Sequence, residues 1–406
     1  MAKSPVLPTV TGMSQFSAPR VVHGFRTTVG LGVAVVVTMA SVPMSAAAAR
    51  QHPPSWSGDP GHAATAAALE ELVAQGTPGV VARADLGRRS WQGSAGVADL
   101  DRNRPRVPAE HFRIGSVTKT FTAVTVLALE AEGHLSLQDS VEEWLPGTLD
   151  DTGYDARRIS IRQLLNHTSG IFDILQAREF VERYRGPAFL EHRYDSWTPE
   201  SLVEIATAYP PLFAPGTGWS YSNTNYLLAG MIIEAATGES YADAVRTRVL
   251  RPLQLHETVV PGFSPTLPEP HARAYSRLFV DAPDAKIYDA TEFNPSLAGA
   301  AGEIISTTRD LNRFFRALFA GRILPAAQQR ALLTGVDTGR GYHYGLGVRT
   351  YQLPCGTRWG HDGDILGSVA RTVSTADGRH VLSVNANDNW HDDDLMTEVF
   401  TAEFCR

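Results

Sequence analysis

Strand-like patterns stand near both ends of this chain, and mostly helical patterns fill the stretch between them. Residues 79–87 and 91–99 are short, partly alternating apolar runs bounded by glycine, as in a hairpin. Residues 345–349, 365–373 and 381–386 read as strands again, and Asp377-Gly378 marks a hairpin turn before the last of them. Residues 63–75 and 117–132 read as helices, the second with Phe121, Val124, Leu127, Ala128 and Ala131 on one face and Gly133 as its stop. Further helices are expected over 311–324 and 392–404. Early strands need partners, and the nearest long supply is at the other end of the chain. The reading is therefore an α/β (α+β) fold, with one mainly antiparallel sheet built from both chain ends and flanked by helices. Its sheet part is 63–134 with 300–406, and a mostly helical subdomain, 135–299, is inserted.

The first 49 residues read differently. They hold Lys3, Arg20 and Arg26 and no acid, then an uncharged run from Thr27, closed by Ser45-Ala46-Ala47-Ala48-Ala49. That is the pattern of a secretory signal peptide, with 50–62 as a flexible lead-in. The implied localisation is extracellular, with no stable membrane contact after cleavage. Without residues 1–49 the net charge falls from −7 to −10, because only three basic residues are lost. An acidic chain is a poor nucleic-acid binder, so none is expected. Two cysteines, Cys355 and Cys405, in an exported chain point to one disulfide, tying the C-terminal helix to a late strand.

Three blocks carry chemistry. Ser116-Val117-Thr118-Lys119 opens the strongest helix and puts a hydroxyl and an amine on one face, a turn apart. A helix start offers N–H groups to a developing oxyanion, and a buried lysine loses enough basicity to accept a hydroxyl proton. By itself the spacing is equally that of an N-cap serine. Tyr221-Ser222-Asn223 supplies a phenol for proton relay and an amide for a substrate carbonyl. Trp359-Gly360-His361-Asp362-Gly363-Asp364 belongs on an edge-like strand, where glycines let a ligand approach the backbone. No metal or other cofactor is expected, since His361 lacks a second histidine or a cysteine pair at ligand spacing. The run His391-Asp392-Asp393-Asp394 reads as a solvated helix start.

In this order and spacing the blocks resemble those of the serine β-lactamase and penicillin-binding family. The stretches 164–170 (Leu-Leu-Asn-His-Thr-Ser-Gly), 301–310 and 344–347 (Tyr-Gly-Leu-Gly) share the likeness. The resemblance covers most of residues 65–405 and implies a β-lactamase/transpeptidase-like fold and a serine hydrolase. Ser116 would be the nucleophile, with Lys119 or Tyr221 as its base. The backbone N–H groups of Ser116 and Asp364 would hold the oxyanion. Asn223 would hold an amide carbonyl, and Tyr221, helped by His361, would protonate the leaving group.

Arg349, six positions before Cys355, and the Cys355–Cys405 pair look most like the soluble secreted D-alanyl-D-alanine carboxypeptidases. There an arginine at the place of Arg349 binds the substrate carboxylate. Asp362 and Asp364 stand where those enzymes carry threonines, and Leu297 stands where they carry a tryptophan. Two acids repel a carboxylate. The readings open at this point are therefore a penicillin-binding carboxypeptidase, an esterase or D-amino-acid amidase or aminopeptidase, and a β-lactamase or silent binding domain. The expected partner is a small peptide, amide or ester, β-lactams included, taken by a monomer.

Overall fold

The computed structural model describes residues 60–405, apart from 281 and 283. The expected signal peptide and nearly all of the lead-in lie outside the described residues; Pro60–His62 form a helical turn that runs into the first helix. Among the described residues, no helix is long and apolar enough to cross a membrane.

The main sheet has nine strands. In chain order they are β1 (Gly79–Leu86), β2 (Arg89–Asp99), β3 (Arg104–Pro105), β4 (Val336–Asp337), β5 (His343–Tyr344), β6 (Arg349–Leu353), β7 (Gly356–Ile365), β8 (Ser368–Ser374) and β9 (His380–Ala386). Their spatial order is β3-β2-β1-β9-β8-β7-β6-β5-β4, with every pair antiparallel. The two chain ends meet where β1 pairs β9, Val80 opposite Ala386 and Leu86 opposite His380.

Side-chain alternation gives the sheet two apolar faces. Val80, Ala82 and Ala84 on β1 join Leu382, Val384 and Ala386 on β9. They pack under helix α1 (Ala63–Ala74) and the C-terminal helix α5 (Asp393–Phe404), which contribute Leu69, Leu72, Met396 and Phe400. Each such side chain contributes roughly 1.5–3 kcal/mol of burial. On the same face Glu403 accepts hydrogen bonds from Thr65 (2.6 Å), His62 (3.0 Å) and His380 (2.7 Å). Cys355, in the β6–β7 turn, is bonded to Cys405 at the end of α5.

The opposite face carries Val81, Ala370 and Val381 against the larger core. That core includes α2 (Thr118–Glu132), α3 (Thr224–Thr237) and α4 (Thr308–Phe319). A single apolar stripe was expected for α2. It is instead enclosed from Thr118 to Leu127, while Ala131 is exposed. Its threonines tolerate this because Thr122 and Thr125 donate to the carbonyls of Thr118 and Phe121, and Thr120 to that of Gly347. Gly133 ends the helix in a left-handed conformation.

Two strand expectations change. Of the expected strand 345–349, only Arg349 is in a strand, as the first residue of β6; residues 345–348 are the bend between β5 and β6, where a Cβ at Gly345 would lie 2.2 Å from the Leu332 carbonyl. The expected strand 365–373 is split by the turn Leu366-Gly367, both at positive φ, so Ile365 closes β7 and Ser368 opens β8. Between α2 and α4 the chain is mainly short helices, as expected for the inserted part, with a small ladder of Tyr275–Ser276 on Tyr288–Asp289.

Candidate active site

Ser116 sits in the helical turn Gly115–Val117 that feeds α2, and Lys119 lies one turn on. The Lys119 side chain is fully buried, and its Nζ lies 3.1 Å from Ser116 Oγ, 2.7 Å from Asn223 Oδ1 and 2.8 Å from the Ala301 carbonyl. The aromatic faces of Tyr221 and Tyr226 lie 4.9 and 5.5 Å from it. Burial pulls the Lys119 ammonium down to about 7, against the pull of Asp173 and Asp362 in the other direction. An amine in that range accepts a proton near neutral pH.

Tyr221 reaches the site from the segment just before α3, and its hydroxyl lies near that of Ser116. Burial pushes this phenol well above its ordinary value, so it stays protonated. Asn223 caps the same segment but is turned inward. Its Oδ1 accepts from Lys119, and its Nδ2 donates to both oxygens of Asp173, at 3.1 and 3.2 Å. The amide expected to hold a substrate carbonyl is thus engaged within the protein.

The third block forms the cleft wall. β6 pairs with β7 only as far as Arg349 opposite Gly360, so residues 361–365 pair with β8 alone and leave an open edge. The two-residue turn after Ile365 sets the ladder's alternation, which aims the N–H of Asp364 away from β8 and toward this edge. The edge presses against the turn that carries Ser116. A Cβ at Gly363 would lie 2.6 Å from Ser116 N, and one at Gly115, where φ is +50°, would lie 2.9 Å from Asp364 N. Only glycine permits both approaches. The backbone nitrogens of Ser116 and Asp364 are thus brought together where the turn meets the strand.

Successive residues of β7 face opposite ways. His361 faces inward and is fully engaged. Its Nδ1 lies 2.6 Å from the Asp362 carbonyl, which can only accept, so Nδ1 carries the hydrogen. Its Nε2 then accepts from the Tyr344 hydroxyl at 2.8 Å. Burial lowers the ring to about 4. Both ring nitrogens of His361, expected to help protonate a leaving group, are thus engaged within the protein.

Asp362 and Asp364 face outward. Asp362 accepts from Arg349 at 3.1 Å and from the Tyr351 hydroxyl at 2.8 Å. Burial raises its carboxyl, but Arg349, Arg371 and His361 outweigh that and hold it below the carboxylate range. The Arg349 guanidinium lies 3.8 Å from the centre of the Tyr342 ring. The arginine expected to bind a carboxylate is therefore already paired, with Arg349 and Asp362 each about one quarter exposed, at 24% and 25%. Burial, with Asp393 and Asp388 nearby, pushes the Asp364 carboxyl up to about 7 against the opposing charge of His391. Leu297 is buried, in a helical turn that continues toward Ala301. The acids after His391 start α5, with Asp392 as its cap and Asp393 paired with Arg371. No group of three or more metal-ligating side chains converges among the described residues.

Sequence reasoning missed Asp173, Tyr344, Tyr351 and the Ala301 carbonyl. Tyr344 lay within a stretch already singled out, and Asp173 three residues beyond another; neither had a spacing that revealed its partner.

A serine hydroxyl thus lies against a buried lysine and a tyrosine, on a nine-stranded sheet with helices on both faces. The Beta-lactamase family model matches residues 65–398, and the chain belongs to that family. Penicillin-binding protein 4* of Bacillus subtilis is 32% identical over 66% of this chain and 58% of its own length. Esterase EstB of Burkholderia gladioli is 35% identical over 51% of this chain and 52% of its own. This chain thus spans little more than half the length of these curated relatives. Among solved structures, a D-stereospecific amidohydrolase from Streptomyces sp. is 47% identical with a TM-score of 0.80, covering 85% of this chain and 98% of that one. A D-amino acid amidase from Ochrobactrum anthropi SV3 is 29% identical with a TM-score of 0.73 at the same coverage.

Proposed function

We propose that this chain is an exported serine hydrolase that acts through an acyl-enzyme on Ser116, and that its substrates are amides or esters of D-amino acids. The observation that carries the chemistry is the buried Lys119 amine 3.1 Å from Ser116 Oγ. Ser116 attacks the carbonyl carbon and its proton passes to Lys119. The oxyanion is held by the N–H groups of Ser116 and Asp364; losing one such donor typically costs about 10²–10³ in rate. Tyr221, protonated and in contact with Ser116, delivers a proton to the departing amine or alcohol. Water, activated through the same groups, then releases the acid.

The substrate class rests on the outward face of β7. A guanidinium already ion-paired with Asp362 and stacked on the Tyr342 ring offers less to a free carboxylate, which would also meet the charge of Asp362. Neutral amides and esters meet no such repulsion. The likeness to a D-stereospecific amidohydrolase supports the same choice. The second reading is a D-alanyl-D-alanine carboxypeptidase. It is favoured by the presence of Arg349 at the cleft and by the penicillin-binding relatives.

Turnover of D-phenylalanine amide, its methyl ester, and a peptide ending in D-Ala-D-Ala separates the two. The expected order is ester and amide well above the peptide. Preference for the peptide overturns the substrate assignment but leaves the hydrolase.

A further inference from the structure

We propose that Asp173 is a positioning residue of this site. It fixes the direction of the Asn223 amide and, through it, aims the lone pair of Lys119 at Ser116. The inference rests on the Ser116–Lys119 reading above.

Asp173 caps the helical turn Ile174–Gln176 and is buried. Its Oδ1 accepts the backbone N–H of Asn223 at 3.0 Å and that of Leu175 at 3.3 Å. Both its oxygens face Asn223 Nδ2. A carboxylate only accepts, so the nitrogen of the Asn223 amide has to face Asp173 and the oxygen has to face the other way. That oxygen meets Lys119 Nζ at 2.7 Å. The Ala301 carbonyl, which also only accepts, meets Nζ at 2.8 Å. A neutral amine has two hydrogens and one lone pair. With both hydrogens claimed, the lone pair is left for the third neighbour, the hydroxyl of Ser116. As the bond from Oγ to the substrate carbon forms, the carbonyl π pair moves onto its oxygen and the hydroxyl proton moves onto Nζ. The new ammonium then faces Asp173 through one intervening amide.

The other titratable groups around Nζ are Asp362 and His361 from β7, His167 from the loop after residue 166, and Tyr221 and Tyr226. Asp362 is tied to Arg349 and Tyr351, and both histidines are held neutral by burial. Asp173 is the acid near Lys119 that carries no cationic side chain of its own among these.

The test is the rate of Ser116 labelling by a fluorophosphonate, followed by intact mass across pH. Asp173→Asn keeps an oxygen for the two backbone N–H groups but opposes an NH₂ to Asn223 Nδ2, so the Asn223 amide loses its enforced direction. Labelling should slow about 10²-fold, a typical share for a positioned general base. Its acid limb should move to lower pH, because a negative charge near Lys119 is gone. The double variant Asp173→Asn with Asn223→Asp restores an acceptor for Lys119 and a donor–acceptor pair. It should recover at least tenfold over the single variant, with the limb moved up. An unchanged limb and rate in Asp173→Asn, or no recovery in the double variant, overturns the proposal. Failure of the unmodified protein to be labelled at Ser116 overturns the underlying reading instead.

Discussion

The inward and outward faces of one strand, β7, solve opposite electrostatic problems. Inward, His361 and Lys119 are buried. Among the described residues no carboxylate touches Lys119 Nζ directly, so burial dominates and the amine and imidazole are both held toward neutrality. Outward, Asp362 is about one quarter exposed and pairs directly with Arg349, so Coulomb attraction dominates and both stay charged. The same ten-residue strand thus places a buried histidine beside the lysine pocket and an ion-paired rim within one side-chain alternation. Chemistry and specificity are separable here, because changing a rim residue need not disturb the pocket behind it.

The contrast predicts unequal effects of mutation. The largest belongs to the inner face. Lys119→Met keeps the side-chain volume and apolar stem but has no basic amine. Ester turnover should fall by about 10³ or more, comparable to removing a nucleophile's activating base. Thermal stability should fall only modestly, because the lost donor to Asn223 Oδ1 and the Ala301 carbonyl is partly offset by removing a desolvated amine. A steady-state rate within tenfold of the parent would break the distinction between the two faces.

The outer face should respond more modestly and in the opposite sense. Asp362→Thr frees Arg349 from its partner and removes one repelling charge. Turnover of a peptide ending in D-Ala-D-Ala should then rise about tenfold, the value of roughly 1.4 kcal/mol in a charged hydrogen bond. Ester turnover should stay within threefold. If both substrates lose activity together, Asp362 is part of the inner machinery and the two faces are not separable.

What was legible in the sequence follows the same division between local and distant causes. Ser116 and Lys119 are one helical turn apart, so their meeting is written into local geometry. The hairpin at Asp377-Gly378 was legible as well, because Gly378 takes the positive φ its turn needs. The turn at Leu366-Gly367 was hidden by an apolar residue, Leu366, at φ +36°. The stripe drawn on α2 assumed one buried face, but the helix is packed on several sides and its threonines satisfy themselves along the backbone. Asp173 and Asn223 are fifty residues apart, and their contact depends on how the inserted helices pack. The pairing of Arg349 with Asp362 was equally out of reach. It needs β6 to stop pairing β7 at Gly360, which no residue type announces.

If burial makes Lys119 a neutral amine near physiological pH, it can take the proton of Ser116 there. The pH dependence of Ser116 acylation by a fluorophosphonate, read by intact mass, tests it most directly. The rate should rise through a single ionisation near pH 7 and level off above it, with no mass gain in Ser116→Ala. A rate that climbs only near pH 10, where an ordinary lysine loses its proton, would contradict the account.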